Sequence, residues 1–218
     1  MDLFITQNSY YFVHRHFIKF FLDNQSEIIF VSERKRGLIR KYFEITINLG
    51  FFNTLYCFVC EIYYFLLLFR KKFKLKSQKA NDSNLNKVLE EKIRSGKYNR
   101  VISIGCPCKI NSNLQELYKI KIYNLHGGIV PFQKGRFSPI KSLKNKHKYL
   151  GASLYLISDI FDDGTIISQD YFKVSSKNIL VNYNNVLKIS SNLLGSFFDG
   201  NKKILPQIIS NSLAKTDL

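Results

Sequence analysis

Short runs of branched and aromatic residues alternate with segments of helical spacing, and this alternation constrains the fold more than any other feature. Residues 3–6 (LFIT) are a strand candidate giving way to polar Gln7-Asn8-Ser9. Residues 11–22 (YFVHRHFIKFFL) set Phe12, Phe17, Phe20 and Phe21 at helical spacing with basic residues between. Residues 27–32 (EIIFVS) are a second strand candidate. Residues 77–87 are polar and predict a loop opening a helix over 84–95. The clearest strand is 100–105 (RVISIG), rich in β-branched side chains and ended by a glycine. Residues 121–125 (KIYNL) follow, then 154–157 and 165–168 around an Asp-rich turn, then a helical pattern over 185–198. Strands alternating with helices predict an α/β fold, a mostly parallel sheet flanked by helices. Ligands of such sheets bind beyond the carboxyl ends of the strands.

Charge narrows the partners. The 218 residues hold 33 Lys+Arg against 16 Asp+Glu, a net +17. That excess disfavours a basic substrate and favours an anionic one: nucleic acid, a phosphorylated metabolite or an acidic membrane surface. The length suits one domain of ordinary size, or one domain with a small appendage. No basic, apolar and small-residue leader pattern opens the chain, so a cytoplasmic protein with reduced thiols is expected. Cys57 and Cys60 form a C-x-x-C within an apolar run, and Cys106 and Cys108 lie far along the chain. Buried thiols are expected rather than a zinc site.

Residues 51–69 (FFNTLYCFVCEIYYFLLLF) are the most apolar stretch and long enough to span a membrane. Asn53 and Glu61 interrupt the run, and Lys71, Lys72, Lys74 and Lys76 flank it. These features favour a helix packed in the core or lying on an acidic membrane surface, peripheral to its inner face.

Three segments stand at predicted strand ends. The first is Asn124-Leu125-His126-Gly127-Gly128. Residues two apart on an extended chain share a face, so an amide and an imidazole sit side by side. The loop Pro131-Phe132-Gln133-Lys134-Gly135-Arg136 follows. The second is Asp159-Ile160-Phe161-Asp162-Asp163-Gly164, and the third is Gly105-Cys106-Pro107-Cys108-Lys109-Ile110. Taken singly, each has an ordinary structural reading: a core histidine, a hairpin turn, a connecting loop.

Taken together, they carry a resemblance. NLHGGIVPFQKGR, followed by GASLYLISDIFDDGTIISQ, resembles the folate-dependent formyltransferase family over roughly residues 99–174. Asn124, His126 and Asp162 match the family's catalytic positions. Gly128 stands where members often have Ser, and Tyr155 where a His is common. The resemblance implies a Rossmann-like catalytic domain over 1–199, divergent in its first 98 residues and followed by a tail over 200–218, and transfer of a formyl group from 10-formyltetrahydrofolate to an amine. Gly105, Cys106, Pro107 and Ile110, together with the Asp turn, would enclose the pterin. Amide and imidazole donors would stabilise a tetrahedral oxyanion, and the His–Asp pair would manage the departing proton.

The acceptor follows by comparison among members. Methionyl-tRNA formyltransferases carry a further C-terminal domain, for which this sequence leaves little room. Residues 6–10 (TQNSY) lack the glycines of the glycinamide ribonucleotide enzymes' phosphate loop. The reading is therefore a nucleotide-linked amino sugar destined for surface polysaccharide, with Lys134 and Arg136 meeting its diphosphate. No metal and no stable nucleic-acid partner are expected, and a homodimer is compatible with the sequence. The alternatives are a methionyl-tRNA formyltransferase-like enzyme lacking that C-terminal domain, and a non-catalytic basic binding or membrane-surface relative.

Overall fold

Strand β1 (Asp2–Gln7) runs through the centre of a parallel sheet, with Leu3, Phe4 and Ile5 wholly buried. This is a computed structural model of the protein, and it describes every residue except 8–15, 24–25, 33–37, 71–75 and 201–218. The chain divides into two units, Met1–Lys121 and Ile122–Leu218.

In the first unit, β1 is followed by α1 (Ile18–Asp23), β2 (Glu27–Ser32), α2 (Leu38–Leu49), α3 (Phe51–Arg70), β3 (Lys76–Asn81), α4 (Leu85–Arg94), β4 (Arg100–Ile104) and α5 (Asn113–Tyr118). The strand order is β3-β2-β1-β4, and every pair is parallel. Phe4 registers with Ile28 on one side and Ile102 on the other. Such strands are covered on both faces, which is why β1 and β4 read as unbroken apolar runs rather than alternating ones. Helix α4 buries Leu85, Val88, Leu89 and Ile93, a stripe of helical spacing. Polar pairs tie the unit together. Glu27 accepts from Lys92 at 2.6 Å and from the Tyr98 hydroxyl, and Arg100 donates to Asp2 at 2.9 Å.

The second unit contains β5 (Lys121–His126), α6 (Ser138–Lys144), β6 (Tyr149–Leu156), β7 (Ile166–Lys173) and α7 (Ile179–Phe198). Here β5 pairs antiparallel with β6, and β6 with β7. Helix α7 starts at Asn178, whose side chain accepts from the amides of Leu180 and Val181. It buries Val186, Leu187, Leu193 and Leu194.

The predicted α/β class holds, with some corrections. Residues 76–81 form β3, not a loop. Their sequence, KSQKAN, pairs with β2 at the edge of the sheet and leaves Lys76, Ser77 and Lys79 exposed, so no apolar signal marks them. The pieces expected at 154–157 and 165–168 are the inner ends of a longer antiparallel hairpin. The helix expected at 185–198 begins six residues earlier. Residues 11–15 of the first expected helix and nearly all of the expected tail lie outside the described residues. The apolar segment is indeed helical, as α3, but it is no core helix: Phe52 is 83% exposed and Phe51 66%. Cys57 and Cys60 on it are only half-buried. No helix among the described residues is long and apolar enough to cross a membrane.

Candidate active site

Asn124 and His126 both lie on β5, and the antiparallel register sets Asn124 opposite Tyr155 and His126 opposite Ser153. Directly opposed residues of two strands are close enough to interact, and these do. The Asn124 carboxamide donates to the Tyr155 hydroxyl at 2.6 Å, and that hydroxyl donates to Asp162 Oδ1 at 2.9 Å. Tyr155 therefore joins the amide to the carboxylate. Burial, then the neighbouring Asp162 charge, pushes the Tyr155 phenol well above its ordinary value. It stays protonated and remains a donor.

Asp162 sits between β6 and β7 with φ 49, a left-handed conformation that Asp and Asn tolerate better than most residues. It is 5% exposed, and its second oxygen accepts the Gly135 amide at 2.5 Å. Gly164, two residues on, is required by space: a side chain there would run into the Leu156 carbonyl and meet Tyr155 Cδ2 at 3.0 Å. The Asp-x-Gly spacing thus lets the turn fold down over the tyrosine.

The imidazole of His126 is held at one nitrogen and faces Asp162 with the other. Nε2 lies 2.8 Å from the Gln133 carbonyl, which can only accept, so Nε2 carries hydrogen. Ser138 Oγ lies 3.2 Å from the same nitrogen and donates its own hydrogen to the Gly127 carbonyl at 2.6 Å. Nδ1 is left facing Asp162 Oδ1 at 3.6 Å. This tautomer is assigned from the network of partners.

The loop after β5 is pinned from below. Ser153 Oγ donates to the Gly128 carbonyl at 2.7 Å and accepts the Val130 amide at 3.0 Å. The buried Gln169 side chain donates to the Val130 carbonyl and to Ser153, both at 2.8 Å. Gln133 reaches the Tyr149 carbonyl at 2.8 Å. Gly128 has no room for a side chain. A Cβ there would collide with the Gln133 carbonyl and meet Ser138 Oγ at 2.6 Å and His126 Nε2 at 2.8 Å. The Gly at 128 follows from the way the loop closes over the imidazole.

An amide, a phenol and a carboxylate thus form one hydrogen-bonded chain inside the second unit, and the imidazole faces the same carboxylate. Such a group can donate to a developing negative charge and accept a proton. No family model matches the chain, and no curated protein matches it in sequence. Solved structures do match. A sugar N-formyltransferase from a Shewanella species superposes with TM-score 0.59 at 17% identity, over 94% of this chain and 73% of that one. A phosphoribosylglycinamide formyltransferase from Anaplasma phagocytophilum gives 0.59 at 14% identity, over 88% and 81%. A glycinamide ribonucleotide transformylase from Symbiobacterium toebii gives 0.62 at 12% identity, over 94% of each chain. The chain has the formyltransferase fold.

Within this formyltransferase-fold protein, the structure brings together Asn124, His126 and Asp162, all three in the second unit. Lys134 is exposed on the same loop with its ammonium 3.1 Å from Asp163, and the Arg136 guanidinium lies over the Phe137 ring at 5.3 Å. Gly105, Cys106, Pro107 and Ile110 belong to the first unit, on the loop that leaves β4. Gly105 takes φ 57, Ile110 is buried, and Cys106 Sγ contacts the Cys108 carbonyl at 3.4 Å. The Cys108 thiol beside it, and then burial, push the Cys106 thiol up.

Sequence reasoning missed the roles of Tyr155, Gln133 and Ser138. Tyr155 was visible as a departure from a common His, but its role needed the strand register. Gln133 acts on the imidazole through its backbone carbonyl, which leaves no mark in a sequence.

Proposed function

We propose that this protein transfers a formyl group from 10-formyltetrahydrofolate to the amine of a nucleotide-linked amino sugar. The observation that carries the reading is the 3.6 Å approach of His126 Nδ1 to Asp162 Oδ1, with Asn124 tied to the same carboxylate through Tyr155. The donor supplies an electrophilic formyl carbon. The residues supply the rest. Asn124 offers the amide hydrogen it does not give to Tyr155 to the oxyanion that forms on attack, an interaction worth about 2.7–4 kcal/mol for a well-placed donor. The His126–Asp162 pair takes the proton released by the attacking amine, a contribution of about 10²–10⁴ in rate. Holding Nε2 as donor to Gln133 leaves Nδ1 as the basic nitrogen, and Asp162 faces the positive charge that would form there. Tyr155 keeps the carboxylate oriented.

The loop Gly105-Cys106-Pro107, with Ile110, is assigned to the donor. Lys134 and Arg136 are assigned to the acceptor's diphosphate, because Arg matches phosphate geometry and Lys adds charge. Sugar N-formyltransferases among the structural neighbours support the sugar acceptor, as does the lack of glycine in residues 6–10. The test is a panel: the protein, 10-formyltetrahydrofolate, and dTDP- and UDP-linked amino sugars, with charged initiator tRNA as competitor. A formylated sugar nucleotide is expected. Formylation of the tRNA alone would replace the acceptor. No product, together with no tetrahydrofolate binding by calorimetry, would leave a non-catalytic relative.

A further inference from the structure

We propose that the α2–α3 hairpin is a docking surface for an anionic lipid membrane. Gly50, with φ 84, separates the two helices by a single residue. Tyr42 meets Phe58 edge-on with ring centroids 5.4 Å apart, and the two lie at equal distance from Gly50 along the chain, so the helices run antiparallel. Thr54, Cys57 and Glu61 form the covered side of α3. The other side presents Phe51, Phe52, Leu55, Phe58, Val59 and Ile62, with exposures from 42% to 83%. A helix apolar around most of its circumference belongs in contact with something apolar, and nothing among the described residues covers this one.

Three polar side chains of the hairpin are bonded within it. Thr46 Oγ1 donates to the Tyr42 carbonyl at 2.8 Å, Asn53 Nδ2 to Leu49 at 2.9 Å and Thr54 Oγ1 to Gly50 at 2.9 Å. Each of these three bonds goes to the preceding turn of its helix, so placing those groups against lipid leaves their bonds intact.

Charge selects the occupant. No Lys or Arg occurs from 42 to 69, while basic runs flank that interval: 34–41 reads RKRGLIRK and 70–76 reads RKKFKLK. Arg40 and Lys41 stand in the first turn of α2 and Arg70 ends α3, so basic positions lie on both helices away from the Gly50 turn. An apolar face bounded by Lys and Arg is complementary to acyl chains beneath acidic headgroups. A second copy would bring the same +17 and the same basic runs, and is disfavoured by repulsion.

The experiment is flotation of the full-length protein with phosphatidylcholine vesicles and with phosphatidylcholine–phosphatidylglycerol vesicles. Binding to the anionic vesicles is expected. It should fall by at least about tenfold when phosphatidylglycerol is left out, since each basic residue near the surface contributes about fivefold. High salt should reduce it likewise. Phe52→Glu with Val59→Glu, both at exposed positions, should abolish binding while the circular dichroism spectrum stays unchanged. Equal binding by that variant, or no binding of the parent protein to anionic vesicles, overturns the proposal. A parent that fails to bind vesicles but is dimeric by light scattering, and monomeric when so substituted, would assign the face to a second copy instead.

Discussion

Asp162 Oδ1 faces His126 Nδ1 at 3.6 Å while the opposite nitrogen of the ring is held by the Gln133 carbonyl at 2.8 Å. The imidazole is thereby held in orientation and in tautomer, with the Asp162 carboxyl set against its other nitrogen. Asp162→Asn tests this with little damage to the backbone, because Asn tolerates the φ of 49 that this turn requires. Turnover should fall by about 10² or more, the scale of a lost proton-transfer group, with the melting temperature nearly unchanged. Steady-state kinetics beside a thermal melt checks both halves.

Tyr155→Phe removes the hydroxyl that joins Asn124 to Asp162 and leaves each one partner short. A buried polar group without its partner costs about 1–3 kcal/mol, so a lowered melting temperature is expected. A fall in kcat of about tenfold should accompany it, equivalent to about 1.4 kcal/mol of lost positioning. KM for the acceptor should move less than kcat, because the hydroxyl acts through the amide and the carboxylate. A variant whose kcat is intact would remove Tyr155 from the site.

Gly128→Ser introduces a side chain where none fits, with its Cβ 2.8 Å from His126 Nε2 and 2.6 Å from Ser138 Oγ. The loop must shift to admit it. Overpacking of this kind costs about 1–3 kcal/mol, and here it also disturbs the imidazole's anchor. Reduced stability and reduced turnover together are the expected outcome, measured by denaturant unfolding and by activity.

These sites show what the sequence could and could not reveal. The parallel strands β1, β2 and β4 were legible because strands buried on both faces read as plain apolar runs. Asn124 and His126 were picked out by their spacing and Asp162 by the resemblance of the motif around it, and the structure brings the three together. Strand β3 was not, since its polar edge residues are stabilised by pairing with β2 rather than by burial. Tyr155 could be noticed but not interpreted until its register opposite Asn124 was known. The orientation of His126 depends on a backbone carbonyl seven residues on, which no side-chain pattern encodes. The apolar character of 51–69 was plain, yet its exposure could only come from coordinates.

Away from the site, stability should carry an acid-side dependence. The Lys92 ammonium first, and the Tyr98 hydroxyl second, hold the Glu27 carboxyl below its ordinary value of 4.5. A carboxyl depressed in the folded state contributes stability that is fully present above the unfolded value and is lost as pH falls through the lower folded one. The melting temperature of Glu27→Gln should therefore lie below that of the parent at neutral pH, and the gap should close once the pH is well below 4.5. Parallel curves across the whole range would show that Glu27 is not ionised and paired as described.

The most direct test of the central reading is transfer of an isotopically labelled formyl group. Protein and formyl-labelled 10-formyltetrahydrofolate are incubated with the amino-sugar nucleotide panel, and label in the product is followed for the parent and for His126→Ala. The account predicts labelled amide from the parent and a rate lower by at least about 10² from the variant. Equal rates from the two proteins, or no labelled product from a parent shown to be folded, would contradict it.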